Sequence, residues 1–189
     1  MLSINDLKNG NYIMVDGNPF QVLEVAHQHI GRGGSSVQTK IKNVRTGQVL
    51  SRNYKPADSF DEAEIEKKPA QFIYAQRGEY WFAPKDNPRG RFALKDEVIG
   101  EGARFLKANL EVTALYLNGT VMNILLPIKV DLKVVEAAPA VKGNTAQGAT
   151  KTVKLESGAE IQVPLFINEG DVVRVNTATG DYTERMEKG

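Results

Sequence analysis

Two histidines, His27 and His29, stand two residues apart in a chain that has no cysteine. On a strand that spacing puts both imidazoles on one side, as a metal site could use. Glu24 is the nearby carboxylate, and no third ligand follows at a suggestive interval. The preferred reading is two polar residues at the base of a long hairpin, with no metal. Nucleophilic catalysis has less still to work with. Without cysteine there is no thiolate, no disulfide framework and no Cys-ligated zinc. Neither a G-x-S-x-G elbow nor a G-x-x-x-x-G-K-S/T phosphate loop occurs. The chain is expected not to be an enzyme and to need no cofactor.

A different chemistry is offered by Gly31, Gly33 and Gly34 around Arg32. Glycine permits positive φ, so this segment can make a tight, exposed tip between two strands. No helical periodicity follows it, which argues against a phosphate cradle at a helix start. A guanidinium is charged at any cellular pH, and its planar fork suits phosphate or RNA. With flanking strands running about six residues past the body, the tip would stand ~20 Å out. An ordinary glycine-rich turn with an incidental arginine is the alternative.

The charge pattern bears on this choice. With 24 Lys+Arg against 23 Asp+Glu the formal net charge is +1, which taken alone argues against a nucleic-acid partner. Every residue from Val25 to Ala57 is nonetheless non-acidic, while Arg32, Lys40, Lys42, Arg45, Arg52 and Lys55 are basic. That is a modest footprint for a phosphate backbone, or else a solvated polar hairpin.

The elements that would carry these residues are strands. At 189 residues, 41% of them hydrophobic, the chain can bury a core, and no apolar run approaches the ~20 residues of a membrane span. The start, Met1 to Asp6, lacks the basic and apolar stretches of a signal peptide, so a cytoplasmic location is expected. Tyr12 to Val15, the turn at Asp16 to Pro19, and Phe20 to Val25 read as a hairpin; Val37 to Asn43 and Gln48 to Lys55 complete a four-stranded meander. In it Lys40 and Lys42 share one face and Ile41 the other. Further strands are read at Phe72 to Ala75, Tyr80 to Ala83, Leu110 to Leu117, Thr120 to Leu126, Thr152 to Leu155, Ile161 to Val163, Val172 to Val175 and Tyr182 to Arg185. Asp96 to Leu106 is the helix candidate, weakened by Gly100 and Gly102. The charged run Asp58 to Lys68 and the small, polar stretch Ala137 to Thr150 mark boundaries. Trp81 sits in apolar alternation and is read as core rather than as a base-stacking platform.

Four segments together resemble bacterial translation elongation factor P. D-L-K-N-G (Asp6 to Gly10) with D-G-N-P-F (Asp16 to Phe20) is similar to the family's first strands. H-I-G-R-G-G (His29 to Gly34), followed by V-Q-T-K-I-K-N-V-R-T-G (Val37 to Gly47), resembles its protruding loop and return strand. Ala138-Pro139 with K-G-N-T-A (Lys142 to Ala146) resembles the start of its third domain. K-T-V-K-L-E-S-G-A-E-I-Q-V-P-L-F-I-N-E-G (Lys151 to Gly170) follows its C-terminal signature, the most specific of the four.

The resemblance implies an all-β protein of three small barrels in an elongated, tRNA-like arrangement. An SH3-like (KOW-like) barrel over residues 1–64 would carry the tip loop, followed by OB-fold barrels over 65–128 and 129–189. It implies a monomer that binds the 70S ribosome between the peptidyl and exit sites, beside the peptidyl-tRNA, and promotes bond formation at consecutive prolines. Gly31, Arg32, Gly33 and Gly34 would point to the peptidyl transferase centre and the tRNA's CCA end. His29, Lys40, Lys42, Arg45, Arg52 and Lys55 would contact RNA, as would Gly143, Asn144 and Thr145 of a loop near the exit site, and Tyr182 and Arg185 of a terminal Tyr-x-x-Arg pattern. An elongation-factor-P-like paralogue and a generic OB-type RNA-binding protein are the alternative readings.

Some positions depart from the family pattern. Arg32 stands where many members carry a modified lysine, Ile30 where many have proline, Asn144 where aspartate is common, and Val153 where alanine is. One branch carries a rhamnosylated arginine at the tip, so Arg32 is a candidate modification site for a partner enzyme. Gly33-Gly34-Ser35-Ser36 does not resemble that branch's tip. Three states stay open: rhamnosylated, otherwise modified, or bare, with bare Arg32 preferred. The intact mass of protein from its native source is expected to equal the sequence mass, and any added mass on Arg32 would overturn that preference.

Overall fold

A computed structural model describes residues 1–30, 34–138 and 149–189, with the backbone alone described at 28–30, 34 and 35. The chain opens with β1 (Leu2–Ser3) and a 3-10 turn over Ile4–Asp6. Four strands then run as an antiparallel meander in chain order: β2 (Tyr12–Val15), β3 (Asn18–Ile30), β4 (Gly34–Asn43) and β5 (Val49–Tyr54). Alternation dictates this: Val37, Thr39, Ile41 and Asn43 are buried, while Gln38, Lys40 and Lys42 between them are exposed. A short β6 (Ser59–Phe60) pairs with β1, and Phe60 joins Ile4, Ile13, Phe20, Val22 and Ile41 in one core.

Next come β7 (Ile65–Gln76), β8 (Glu79–Pro84), β9 (Phe92–Lys95), α1 (Asp96–Ile99), a 3-10 stretch over Gly100–Phe105, β10 (Glu111–Leu117) and β11 (Thr120–Leu125). These strands make a sheet of order β11-β10-β7-β8-β9. The charged run read as a boundary therefore ends inside β7. Lys67 and Lys68 fit there because each lays its ammonium over a ring, Tyr12 at 5.4 Å and Tyr116 at 5.1 Å. The Asn118-Gly119 turn joining β10 to β11 has φ of 51° and 77°, the paired positive values of a type I′ hairpin turn.

The expected helix over Asp96 to Leu106 is replaced by a single turn. Gly100 adopts φ 71° and ψ −153°, which ends α1 after Ile99. The tighter 3-10 path that follows delivers Phe105, 1% exposed, into the core of the last sheet.

That sheet consists of β12 (Lys129–Ala137), β13 (Thr150–Leu155), β14 (Glu160–Pro164), β15 (Val172–Asn176) and β16 (Tyr182–Glu187), in the order β14-β13-β12-β15-β16. Its central strand, β12, is absent from the sequence reading although Val130, Leu132 and Val134 alternate correctly. Lys129, Asp131 and Lys133 obscure the signal. Asp131 is accounted for by a two-pronged pair with Arg174 on the adjacent β15, at 2.7 and 3.0 Å.

Packing divides the chain into two compact units. One comprises Met1–Lys68, Leu94–Gly100 and Ala114–Ile124; the other comprises Pro69–Ala93, Glu101–Thr113 and Leu125–Gly189. In the first, the meander and its core share the unit with α1 and most of β11. In the second, Phe105, Leu110 and Leu126 pack against the core of the β12–β16 sheet. Leu132 is fully buried at the centre of that sheet. Leu132→Ala is expected to destabilise the protein by about 2–5 kcal/mol, read as a lower urea midpoint.

Candidate nucleic-acid interface

The long hairpin of β3 and β4 is paired continuously from Phe20↔Asn43 to Ile30↔Gly34, with one register shift between Val22 and Glu24. β5 accompanies β4 only as far as Val37↔Tyr54. Beyond that point the hairpin consists of its own two strands, for the pairs Gln28↔Ser36, His29↔Ser35 and Ile30↔Gly34. At ~3.3 Å per residue those pairs reach about 10 Å, half of what six residues would give. The tip residues Gly31, Arg32 and Gly33 lie outside the described residues; Gly34 begins β4, and His29 is in β3.

Register divides the basic residues between two faces. Lys40 and Lys42 are opposite Ser51 and Val49 of β5, on the outer face, and both are exposed. Arg52 is opposite the buried Thr39, in line with Leu50 and Tyr54, so it belongs to the other face. There it lies 3.6 Å from Asp16. Lys40 has Glu24 directly across on β3. Both carboxylates sit outside the acid-free stretch in sequence, yet folding brings them to it. Arg45 projects from the turn after β4 and touches the Met122 sulfur at 3.8 Å. Lys55 is exposed, with its backbone N–H donating to Asp58 at 2.7 Å. The outward positive face is therefore Lys40 and Lys42, with Arg45 at the hairpin's base.

Glu24 does not join His27. Glu24 is opposite Lys40 and His27 opposite Val37, an odd number of positions along β4, so they occupy different faces. Among the described residues no three His, Asp or Glu side chains cluster as metal ligands, and no helix is long and apolar enough to cross a membrane.

A second basic site lies at the end of the last sheet. Tyr182 and Arg185, three apart, would face opposite ways on a regular strand. Between β15 and β16 the register slips between Arg174 and Val175, leaving Thr183 unmatched, so Tyr182 pairs with Val175 and Arg185 with Val173. The bulge brings both residues to one face. Tyr182 packs against the core, and Arg185 is exposed over the Phe166 ring, 5.2 Å from its centroid. The guanidinium also lies 3.5 Å from Asp171, whose carboxylate is 1% exposed. Asp171 accepts hydrogen bonds from the N–H groups of Asn168 and Gly189, each at 2.9 Å. Burial pushes the Asp171 carboxyl up, but those two hydrogen bonds and Arg185 outweigh it, leaving it below its ordinary value. Phe166 and Asp171, which orient Arg185, escaped the sequence reading. Phe166, 56% exposed at the end of the V-P-L-F segment, was the available signal. Gly143, Asn144 and Thr145 lie outside the described residues.

Trp81 corrects a further expectation. It is half-buried and stacks on Tyr74 across the strands, with centroids 6.2 Å apart and planes at 20°, while Phe72 and Phe82 fill the interior. A register shift between Phe72 and Tyr74 puts Tyr74 on the outer face beside it.

Two family models match the chain: "Elongation factor P (EF-P) KOW-like domain" over residues 3–60 and "Elongation factor P, C-terminal" over residues 130–185. Over 185 residues, 98% of this chain, it is 42% identical to the whole of Elongation factor P from Moorella thermoacetica. The chain belongs to the elongation factor P family.

That membership makes it a translation elongation factor. Elongation factor P from Symbiobacterium thermophilum and from Thermotoga petrophila are each 40% identical over the same 98% of the chain, covering all of each relative. The solved structure of "Eukaryotic translation initiation factor 5A from Methanococcus jannaschii" is similar with a TM-score of 0.50 at 16% identity, covering 66% of this chain and 92% of that one. This likeness concerns the fold alone: all-β, with barrel-like sheets. The KOW-like match contains the long hairpin, and the C-terminal match ends on Arg185. The Tyr74–Trp81 stack lies outside both matched spans.

Asp131 is also held below the usual carboxylate range, foremost by its hydrogen bond with Arg174. A carboxylate with a depressed folded-state value adds stability above its unfolded value, and that stability is lost as pH falls through the folded one. The urea midpoint is expected to stay level from pH 7 to about 5 and to fall below about 4. Asp171→Asn is expected to cost about 1–3 kcal/mol at pH 7 and to make the acid decline shallower. An unchanged acid slope in this variant would sink the assignment.

Proposed function

We propose that this elongation factor binds the 70S ribosome beside the peptidyl-tRNA and promotes peptide-bond formation between consecutive prolines. In this reading its segments 1–64, 65–128 and 129–189 are three barrel domains, and each of the three larger sheets is built from strands of one segment. The observation that carries the reading is the hairpin: a continuous two-stranded arm, paired out to Ile30↔Gly34, in a chain of this family with Arg32 between those residues.

Each group then has a role. Arg32, acting bare, reaches toward the CCA end and restrains the peptidyl-tRNA in a reactive geometry with its fork of N–H donors. Lys40 and Lys42, on the outer face of the arm, hold backbone phosphates, and Arg45 contributes at its base. Arg52 does so less, since Asp16 is beside it. Residues 143–145 contact RNA near the exit site, and the Tyr182–Arg185 face also contacts RNA. The ribosome supplies the bond-forming chemistry; the factor supplies position, works as a cytoplasmic monomer and is no enzyme.

The test is a diproline translation reporter with recombinant protein. Arg32→Ala is expected to leave the urea midpoint unchanged and abolish rescue. Wild-type rescue by this variant would refute the role of Arg32, rescue by protein from the native source but not by recombinant protein would refute bare Arg32, and absence of rescue by both would refute the function. Lys42→Ala is expected to weaken ribosome binding without lowering the saturated rate, and to reduce the salt dependence of binding.

A further inference from the structure

Asn123 is one of only four buried polar or charged residues among the described residues, with Thr39, Asn43 and Asp171. Both of its amide donors are used: Nδ2 donates to the carbonyl of Val44 and to that of Val98, both at 2.9 Å, and Oδ1 accepts from the N–H of Ile124 at 2.7 Å. Val44 begins the turn after β4, Val98 is in α1, and Asn123 itself is in β11, so one amide joins three segments of the same compact unit. The turn is a stiff attachment point. Asn43 Oδ1 accepts from the N–H groups of Arg45 and Thr46 at 2.9 and 3.0 Å, and the Val44 N–H donates to Pro19 at 2.9 Å. Arg45 against Met122 adds a second contact beside the first.

We propose that Asn123 is a positioning residue that sets the direction of the β3–β4 arm; its functional consequence rests on the reading of function above. The ten residues of β4 run from the clasped turn to the start of the tip, about 30 Å at ~3.3 Å each, so a tilt of about 5° at the base moves the far end by about 3 Å. Misplacement by about 1 Å can cost a positioned reaction about a hundredfold. An apolar side chain in place of Asn123 would take the donor from the buried Val44 carbonyl and from the part-buried Val98 carbonyl, and the turn would separate from α1 to reach water.

Because the chain has no native cysteine, Gln38→Cys and Glu97→Cys, on the exposed surfaces of β4 and α1, allow spin labels to report the angle. The label-to-label distance distribution is expected to be narrow in the parent and at least about twofold broader in Asn123→Ala. It should also broaden in Asn123→Asp, which keeps the acceptor for Ile124 but loses both donors. In the diproline assay the unlabelled Asn123 variants are expected to lose about a hundredfold in saturated rate, with half-saturating concentration within about twofold. Should Asn123→Ala not fold, Asn123→Ser, retaining one donor, is measured in its place. An unchanged distance distribution overturns the positioning role whatever translation shows. A broadened distribution with an unchanged saturated rate overturns its functional consequence. Failure of the unsubstituted protein in the assay counts against the reading of function, while the distance measurement still judges Asn123.

Discussion

Backbone pairing between β3 and β4 is the constraint on which the rest depends. Ten registered pairs, from Phe20↔Asn43 to Ile30↔Gly34, hold the arm together with main-chain hydrogen bonds that do not depend on side-chain type. The same register decides which residues face inward. Val22 and Ile41 meet in the core, and Lys40 and Lys42 are thereby committed to the outer face. A slip of one residue would bury both lysines and expose Ile41. Anchoring by the apolar cluster around Ile4, Ile13 and Phe60, and the clasp at Asn123, keep that register from being a local accident of one hairpin.

Electrostatics adds a finer layer. The stretch without acids looks in sequence like six cations acting together, but an electrostatic footprint is a property of faces. Glu24 across from Lys40 and Asp16 beside Arg52 reduce the field on two of them, so on the outward face Lys42 keeps the fuller charge, with Arg45 at the base. In the last sheet the order is reversed: a buried carboxylate, Asp171, holds a cation in place. Arg185 is thereby held between that carboxylate and the Phe166 ring.

Much of the architecture was legible. Alternation located β2, β4, β8, β10 and the strands around Val153, Ile161 and Val173, and Asn118-Gly119 named its own turn. The failures share a cause. β12 and the start of β7 carry lysines and an aspartate that read as polar boundary until Arg174 and the rings of Tyr12 and Tyr116 are placed against them. The short helix ended at Gly100 because Phe105 has a destination in another sheet's core. Trp81 read as core because periodicity marks a residue as apolar without saying which face of a bulged strand it takes.

By itself the sequence determined the class of the fold, the family through contiguous motifs, and the location of the glycine-framed arginine, since these depend on periodicities and residue types close along the chain. Only the tertiary structure decided how the charges pair, that a bulge brings Tyr182 and Arg185 to one face, and that Asn123 joins the arm's base to α1. Those depend on register and on contacts between residues tens of positions apart, which no local pattern encodes.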